Sequence, residues 1–231
     1  MATLVHRWPM ATVDGSGVTP DVVGANPGTA VRSGIYPKLA EFVHALPGVP
    51  GVKAGMTFDG GSGLVSLGSV ANVTGNSTMT AWIKPNDLLR RSIISFGGVV
   101  GLMTWGIGIA GGTGSFEITQ PGIINCNTGA GVITAGVLQF VAVTLTGTQI
   151  VLFVNRSFVA SVSGGPYTLG GTVSGFGQPR AGATPIHEWS GQISDLRIYS
   201  GAMSTAEVQA LYDSYFTPAD PIFQNQLLMV P

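Results

Sequence analysis

Short runs of β-branched and aromatic residues, separated by glycine, proline or asparagine, dominate this sequence. The clearest are residues 137–146 (VLQFVAVTLT) and 149–154 (QIVLFV), which flank the pair Gly147 and Thr148. Two such runs on either side of a tight turn indicate a β-hairpin. Residues 157–162 follow after Asn155, and because asparagine tolerates positive φ, the sequence predicts a second tight turn and a three-stranded meander.

Further segments have the same character, and each is bounded by turn-forming residues. They are residues 52–58, 63–67, 77–84, 92–96, 102–109, 115–119 and 188–199. About ten short strands punctuated in this way indicate an all-β sandwich rather than alternating βαβ units.

The charge content excludes several classes of protein. Charged residues make up 9% of the chain, and 10 Lys+Arg against 11 Asp+Glu leave a net charge of -1. A helical bundle needs more charge on its outer faces, and a nucleic-acid binder needs a dense basic surface, so we expect neither. The 45% hydrophobic content excludes disorder. The longest apolar stretch, residues 137–154, is interrupted by polar residues, so we expect no membrane insertion.

One helix is predicted near the C-terminus. Ser204 and Glu207 have the spacing of a capping box, and the apolar residues of 208–212 continue a short helix. A weaker helix candidate spans residues 38–46 between Pro37 and Pro47, and a long surface loop explains the same residues. The chain is interpreted as one domain, residues 1–215, followed by an extended C-terminal arm, residues 216–231.

Several stretches resemble laminin-G-like, concanavalin A-like jelly-roll domains. They are LVHRWP (4–9), DVVGANPGT (21–29), MTFDG (56–60) before LVSL (64–67), MTAWIKP (79–85), FVNR (153–156), and WSGQISDLRIY (189–199) followed by AMSTAEV (202–208). The resemblance covers roughly residues 3–213 and implies a jelly-roll β-sandwich with one short C-terminal helix. Two features depart from the family pattern: Arg156 stands where the family usually has glycine, and an insert separates Gly34 from Val52.

The resemblance alone does not fix a function, because this fold hosts lectins, adhesion modules, hydrolases and structural domains. Hydrolytic relatives carry a Glu-x-Asp-x-x-Glu pattern, whereas every acid here is isolated in sequence. None of the three histidines, His6, His44 and His187, accompanies a serine in a nucleophile-elbow context. The chain is therefore predicted not to be an enzyme.

Cofactor and metal sites find little support in the sequence. Residues 106–111 match a dinucleotide-binding pattern, but no helical segment follows, so a glycine-rich strand and turn explain them. Cys126 is the only cysteine and is interpreted as a structural thiol. No cofactor is required in this interpretation. The family often binds Ca²⁺ at the rim of the sandwich, so the resemblance makes Asp195 and Asp59 candidates for an optional calcium site.

Two classes of partner follow from this interpretation. Trp105 is a candidate for contact with a glycan, while Trp82 and Trp189 occupy family positions that predict burial. An apolar cluster in the arm predicts docking to a protein partner or self-association: Ile222, Phe223, Leu227, Leu228 and Met229. The alternative is that the arm folds back on its own sandwich.

The leading functional prediction is a non-enzymatic structural or interaction module. No leader is evident after Met1, and together with the apolar arm this favours a bacteriophage capsid-decoration or tail-surface protein, made in the host cytoplasm and placed on the virion surface. The alternative is an extracellular carbohydrate-binding or adhesion module, for which the resemblance implies calcium dependence as an option. The two roles are compatible in one protein.

Overall fold

The computed structural model describes residues 2–9, 18–19, 21–24, 27–32, 41–44, 49, 54–60, 63–68, 76–97, 103–120, 124–164, 173–176 and 188–217. These residues form sixteen strands and one helix. The elements in chain order are β1 (Thr3–Trp8), β2 (Val18–Thr19), β3 (Gly28–Arg32), β4 (Glu41–His44), β5 (Ala54–Asp59), β6 (Gly63–Gly68), β7 (Ser77–Pro85), β8 (Arg91–Gly97), β9 (Met103–Ala110), β10 (Ser115–Gln120), β11 (Ile124–Asn127), β12 (Gln139–Leu145), β13 (Gln149–Val154), β14 (Ser157–Ser163), β15 (Val173–Phe176), β16 (Ser190–Ser200) and α1 (Thr205–Ser214).

The strands form two antiparallel sheets. The first sheet has the order β14-β13-β12-β7-β16-β5-β4, with β1 also paired to β16. The second sheet has the order β11-β10-β9-β8-β15-β6-β3-β2. Many neighbours in these orders are distant in sequence, as expected for a jelly-roll sandwich.

The main core lies between the two sheets and follows the two-residue alternation of the strands. In β10, Phe116 and Ile118 point into the core, and in β12 Val141, Val143 and Leu145 do the same. The largest buried side chains of this core are Trp8, Trp189, Phe58, Phe116 and Met56. These apolar groups leave water on folding, and at about 25 cal/mol per Å² this burial is the main term holding the sheets together.

A second, smaller core lies on the outer face of the first sheet, beneath α1. Trp82 of β7 and Phe140 of β12 pack there against Val208 and Tyr215 from the C-terminal segment. Strand β12 is therefore buried on both faces, which explains why its sequence, QFVAVTL, is almost continuously apolar. The helix begins as the capping box predicts: Ser204 accepts a hydrogen bond from the Glu207 amide, and the Glu207 carboxylate accepts one from the Ser204 amide.

The meander and the C-terminal helix are confirmed. Strands β12, β13 and β14 pair in sequence, and Asn155 takes φ 55° at the turn between β13 and β14. The seven other predicted strands correspond to β5 to β10 and β16, with ends shifted by one or two residues. Trp82 and Trp189 are buried, as the resemblance implies.

The helix candidate at residues 38–46 is wrong where the structure describes it. Residues 41–44 form β4, which pairs antiparallel with β5 as an edge of the first sheet. The weak helical pattern of this short segment yields to the hydrogen bonds that β5 offers. Among the described residues, no helix has the length and apolar character that a membrane crossing requires.

Candidate functional site

A group of polar side chains lies on the outer face of the second sheet, close to the loops that join β7 to β8 and β9 to β10. The pairing registers place Asn127 of β11, Glu117 of β10, Gly108 of β9 and Ser92 of β8 side by side across four strands. Because Phe116 and Ile118 face the core, Glu117 between them faces away from it. Gly108 adds no side chain to this row, and a Cβ there would collide with the backbone of Arg91.

An ion pair forms the centre of this group. The Nε of Arg90 donates to Oε1 of Glu117 at 3.1 Å, and the Arg90 side chain is half exposed while Glu117 is buried beneath it. Next to this pair, the hydroxyls of Thr113 and Ser115 lie 3.0 Å apart. We call Arg90, Thr113, Ser115, Glu117 and Asn127 the polar patch. It presents a guanidinium, hydroxyls and an amide, and the charges of its ion pair offset each other.

Backbone hydrogen bonds between neighbouring loops fix the frame of the polar patch. The Gly112 amide donates to the Leu88 carbonyl, and the Gly131 amide donates to the Thr113 carbonyl. The Ile133 amide donates to the Gly114 carbonyl, where Gly114 has φ 66° and a Cβ would meet the backbone of Ile133. The polar side chains are thus presented from a rigid framework, which lowers the entropic cost of binding a ligand.

A second ion pair holds the start of β8 to the neighbouring loops. Arg91 makes a bidentate contact with Asp87, with nitrogen-to-oxygen distances of 3.0 and 2.7 Å. The same guanidinium donates to the carbonyls of Gly60 and Glu188 at 3.2 and 2.6 Å. The hydrogen bonds from Arg91 lower the pKa of Asp87, so this carboxylate stays ionised.

Asp195, the first of the predicted calcium ligands, is the acceptor of several protein donors. Arg197 and Arg7 donate to it at 2.6 and 2.8 Å, and the Tyr215 hydroxyl donates at 2.9 Å. Burial would raise the pKa of Asp195, but hydrogen bonds from the two arginines lower it overall. The structure thus places Asp195 in a buried network that joins β1, β16 and the C-terminal end of α1.

Asp59, the second predicted calcium ligand, lies at the end of β5, opposite Ser190 of β16. Asp195 is five residues further along β16, so the two backbones are about 16 Å apart along the strand. The structure does not bring these two residues together. Among the described residues, no three His, Cys, Asp or Glu side chains gather as a metal site would require. The calcium site stays a prediction.

The remaining predicted contacts fall largely outside the described residues. Trp105 lies in β9 opposite Phe96 of β8, but its side chain is not among those described. The docking residues of the arm, Ile222, Phe223, Leu227, Leu228 and Met229, lie in the undescribed range 218–231. The boundary between domain and arm, the docking role and the virion role therefore stay predictions.

His6 and Cys126 are the histidine and the cysteine whose side-chain surroundings the structure describes. In β1, the Nδ1 of His6 lies 2.6 Å from Oδ2 of Asp21, and its ring stacks on Trp8. Cys126 is buried in the main core, where desolvation raises the pKa of its thiol to about 11. Such a thiol is unreactive, in agreement with its structural interpretation.

A cavity between the sheets has a volume of about 10 Å³. Its lining includes Met79, Ile93, Phe116 and Leu196, which belong to the main core. This space holds at most one water molecule. The polar patch is therefore a better candidate for ligand contact than this interior space.

Arg90 and Glu117 were not predicted from the sequence as site residues. They are 27 residues apart in sequence and have no motif spacing, and only the register of β8, β9 and β10 brings them together. One signal was present: polar Ser115, Glu117 and Thr119 alternate with apolar Phe116 and Ile118. That period of two predicts a polar outer face for β10.

Residues 59–209 match a sequence model of the concanavalin A-like lectin/glucanases superfamily. This match covers well over half of the chain, and the jelly-roll architecture agrees with it. The chain belongs to the concanavalin A-like lectin/glucanases superfamily. A comparison with curated proteins gave no match.

Solved structures with the same fold include domain 4 of AbnA, a GH43 extracellular arabinanase from Geobacillus stearothermophilus, in complex with arabinotriose. It has a TM-score of 0.67 at 17% identity, over 91% of this chain and 98% of that domain. The binding domain of Paraclostridial Mosquitocidal Protein 1 has a TM-score of 0.67 at 15% identity, over 93% of this chain and 53% of that one. Trypanosoma rangeli sialidase has a TM-score of 0.66 at 16% identity, over 94% of this chain and 34% of that one. At these identities the likeness shows the fold.

Proposed function

We propose that this chain is a non-catalytic carbohydrate-binding module whose polar patch contacts the glycan. The observation that carries the proposal is the half-exposed Arg90 guanidinium, held in place by the buried Glu117 carboxylate and bordered by Thr113 and Asn127. Superfamily membership supports it, as does the arabinanase domain that was solved with arabinotriose.

The chemistry of the polar patch suits a neutral, hydroxyl-rich ligand. Sugar hydroxyls donate and accept hydrogen bonds, and the patch offers guanidinium donors, a threonine hydroxyl and an asparagine amide. Because Glu117 offsets the charge of Arg90, the patch does not favour a strongly anionic ligand. Its rigid strands limit the entropy lost when a flexible oligosaccharide binds.

Three of the described carboxylates, those of Asp21, Asp87 and Asp195, support the non-catalytic part of the proposal. A glycosidase needs a general acid whose pKa is raised so that it carries a proton near neutral pH. The pKa of Asp87 is lowered by hydrogen bonds from Arg91. For Asp21 and Asp195, burial would raise the pKa, but hydrogen bonds from their neighbours lower it overall. These three groups are ionised at neutral pH and would be poor proton donors.

The binding test uses neutral arabino-, xylo-, gluco- and galacto-oligosaccharides, first on an array and then by calorimetry. We expect Arg90→Ala to weaken binding of the positive oligosaccharide at least tenfold, and Asn127→Ala to weaken it less. Arg156→Ala is the matched control, because Arg156 is also about half exposed and pairs with Asp213 on α1 rather than with the patch. Trp105→Ala tests the prediction that this residue contacts a glycan.

The proposal is contradicted if none of the oligosaccharides binds. It is also contradicted if Arg90→Ala binds as tightly as the unmodified chain and the Arg156→Ala control. The same oligosaccharides, incubated with the chain and assayed for new reducing ends, test the absence of catalysis. Release of reducing ends above the rate of a heat-denatured sample would overturn the non-catalytic assignment.

A further inference from the structure

Strand β14 (Ser157–Ser163) is the terminal strand of the first sheet and pairs only with β13 among the described strands. Its side chains are half-buried or exposed, whereas every residue of β12, two strands inward, is buried. The far side of β14 carries backbone groups without a ladder partner in the described structure. Such an edge is a template for pairing with another strand.

The register shows which backbone groups point to this free edge. The Gly164 amide donates to the Thr148 carbonyl at 2.9 Å, one step beyond the Gln149–Ser163 pair. Hydrogen-bonded pairs alternate with non-hydrogen-bonded pairs in an antiparallel ladder. The backbone N–H and C=O groups of Val162 therefore form hydrogen bonds with β13. The same groups of Ser161 and Ser163 point away from the sheet.

The composition of β14 does not protect this edge. Its sequence, SFVASVS, contains no charged residue, proline or glycine, which are common means of blocking an edge. A bulge opposite Leu152 and Phe153 disturbs the start of the strand and leaves residues 160–163 in regular register. Strand β11 of the second sheet lies near β14 but forms no ladder with it in the described structure.

We propose that β14 pairs antiparallel with β14 of a second copy of this chain, about a twofold axis at Val162. In this arrangement Ser161 lies opposite Ser163 of the second copy, and each such pair exchanges both backbone hydrogen bonds. The contact is isologous, so both copies contribute the same donors and acceptors. Neither strand brings a charge to oppose the other, and the net charge of -1 gives little repulsion between copies.

A second copy is the favoured occupant because the twofold axis brings uncharged and sterically compatible side chains opposite one another. Val162 meets Val162 of the second copy, and two β-branched side chains form a favourable cross-strand pair. The small Ser161 and Ser163 side chains leave room for the approach of the backbones. This contact uses the edge of the first sheet, whereas the polar patch lies on the outer face of the second sheet, and the dimer does not depend on the glycan proposal.

The test compares Ser161→Pro with Ser161→Ala by sedimentation velocity over a wide concentration range. Proline removes the free-edge N–H without removing a bond to β13, and an edge strand tolerates it. Alanine removes the hydroxyl and keeps the N–H. We expect the unmodified chain and Ser161→Ala to form dimers with similar dissociation constants, and Ser161→Pro to associate at least tenfold more weakly. Circular dichroism and thermal melts check that both variants fold.

A charge exchange at the same position gives an independent test. Ser161→Lys and Ser161→Asp place like charges diagonally across the twofold axis, so each variant alone should associate more weakly than the unmodified chain. An equimolar mixture should restore the dimer, because the opposite charges then attract. A monomer at every concentration of the unmodified chain, undiminished association of Ser161→Pro, or failure of the mixture to pair would each overturn the proposal.

Discussion

Asp195 shows how one residue can join three parts of this fold. It has φ 43°, a left-handed conformation that is unfavourable for most residues but accessible to Asp and Asn. It lies in a bulge of β16, between Ser194 and Arg197, near the point where the other edge of β16 changes partner from β5 to β1. The bulge directs the Asp195 carboxylate towards Arg7, Arg197 and Tyr215. Hydrogen bonds from these donors offset the free-energy cost of burying the charge.

Asp195→Asn should lower the free energy of unfolding at pH 7 by about 3 kcal/mol, because both arginines lose a buried charged acceptor. Asparagine keeps the size of the side chain and the tolerance of positive φ. The lowered pKa of Asp195 means that its stabilisation is present above the unfolded pKa, near 4, and is lost as the pH falls through the folded value. The difference between the variant and the unmodified chain should therefore shrink below pH 4.

Urea unfolding at pH 7 and at pH 3 measures both effects. Asp213→Asn is the control, because Asp213 forms an exposed pair with Arg156, and it should cost less than about 1 kcal/mol. Equal losses for the two variants at pH 7 would show that the buried network contributes no more than a surface ion pair.

Cys126 should react with a thiol reagent only when the chain unfolds. Its side chain is buried in the main core, and burial raises the pKa of the thiol to about 11, so little thiolate forms at pH 8. The measurement is the rate of labelling by Ellman's reagent with and without denaturing urea. Rapid labelling of the folded chain would contradict the buried position of this residue.

The elements divide into those with local sequence signals and those without. The meander β12-β13-β14 and helix α1 have such signals, because turn residues and a capping box act within a few residues. Strand β4 has no comparable signal, because its pairing with β5 depends on residues ten to sixteen positions away. The sequence likewise did not predict β1, β2, β3, β11 and β15 as strands, although the family motif at residues 4–9 overlaps β1.

Arg156, which departs from the family glycine, has a clear structural role between elements. The turn places only Asn155 at positive φ, so glycine is not needed at position 156. The Arg156 side chain contacts Asp213 of α1, and its carbonyl accepts a hydrogen bond from Gln209. The turn between β13 and β14 is thereby linked to the helix that covers the outer face of the first sheet.

Ser204→Ala should lower the free energy of unfolding by about 1 kcal/mol, because the Glu207 amide loses its capping oxygen. Ser157→Ala is a suitable control, since Ser157 is an exposed serine at the start of β14 and caps no helix. The two variants are compared by chemical denaturation at pH 7. A loss no larger than that of the control would mean that packing of Val208 and Tyr215 alone holds α1 in place.

The whole molecule combines a polar patch on one sheet with an unprotected edge on the other. If both proposals hold, a dimer presents two patches, and binding to a dense glycan surface gains from avidity. Ser161→Pro should then weaken binding to a densely coated surface at least tenfold and leave the affinity for free oligosaccharide unchanged.

Surface plasmon resonance on dense and sparse coatings, with calorimetry for the free sugar, measures this difference. Arg90→Ala is the contrasting variant, because it should weaken binding in all three formats. Equal binding of Ser161→Pro and the unmodified chain to the dense surface would contradict the bivalent arrangement, even if the glycan proposal holds.

The sequence by itself determined the all-β class, the meander, the capped helix and the membership of a jelly-roll family. These features depend on interactions that act over a few residues or on motifs that lie along one strand. Only the tertiary structure decided that Asp195 serves a buried network, that Arg90 meets Glu117, and that β14 lies at an edge. Each of these depends on strand order and register, and long-range pairing is set by packing across the whole sandwich rather than by neighbouring residues.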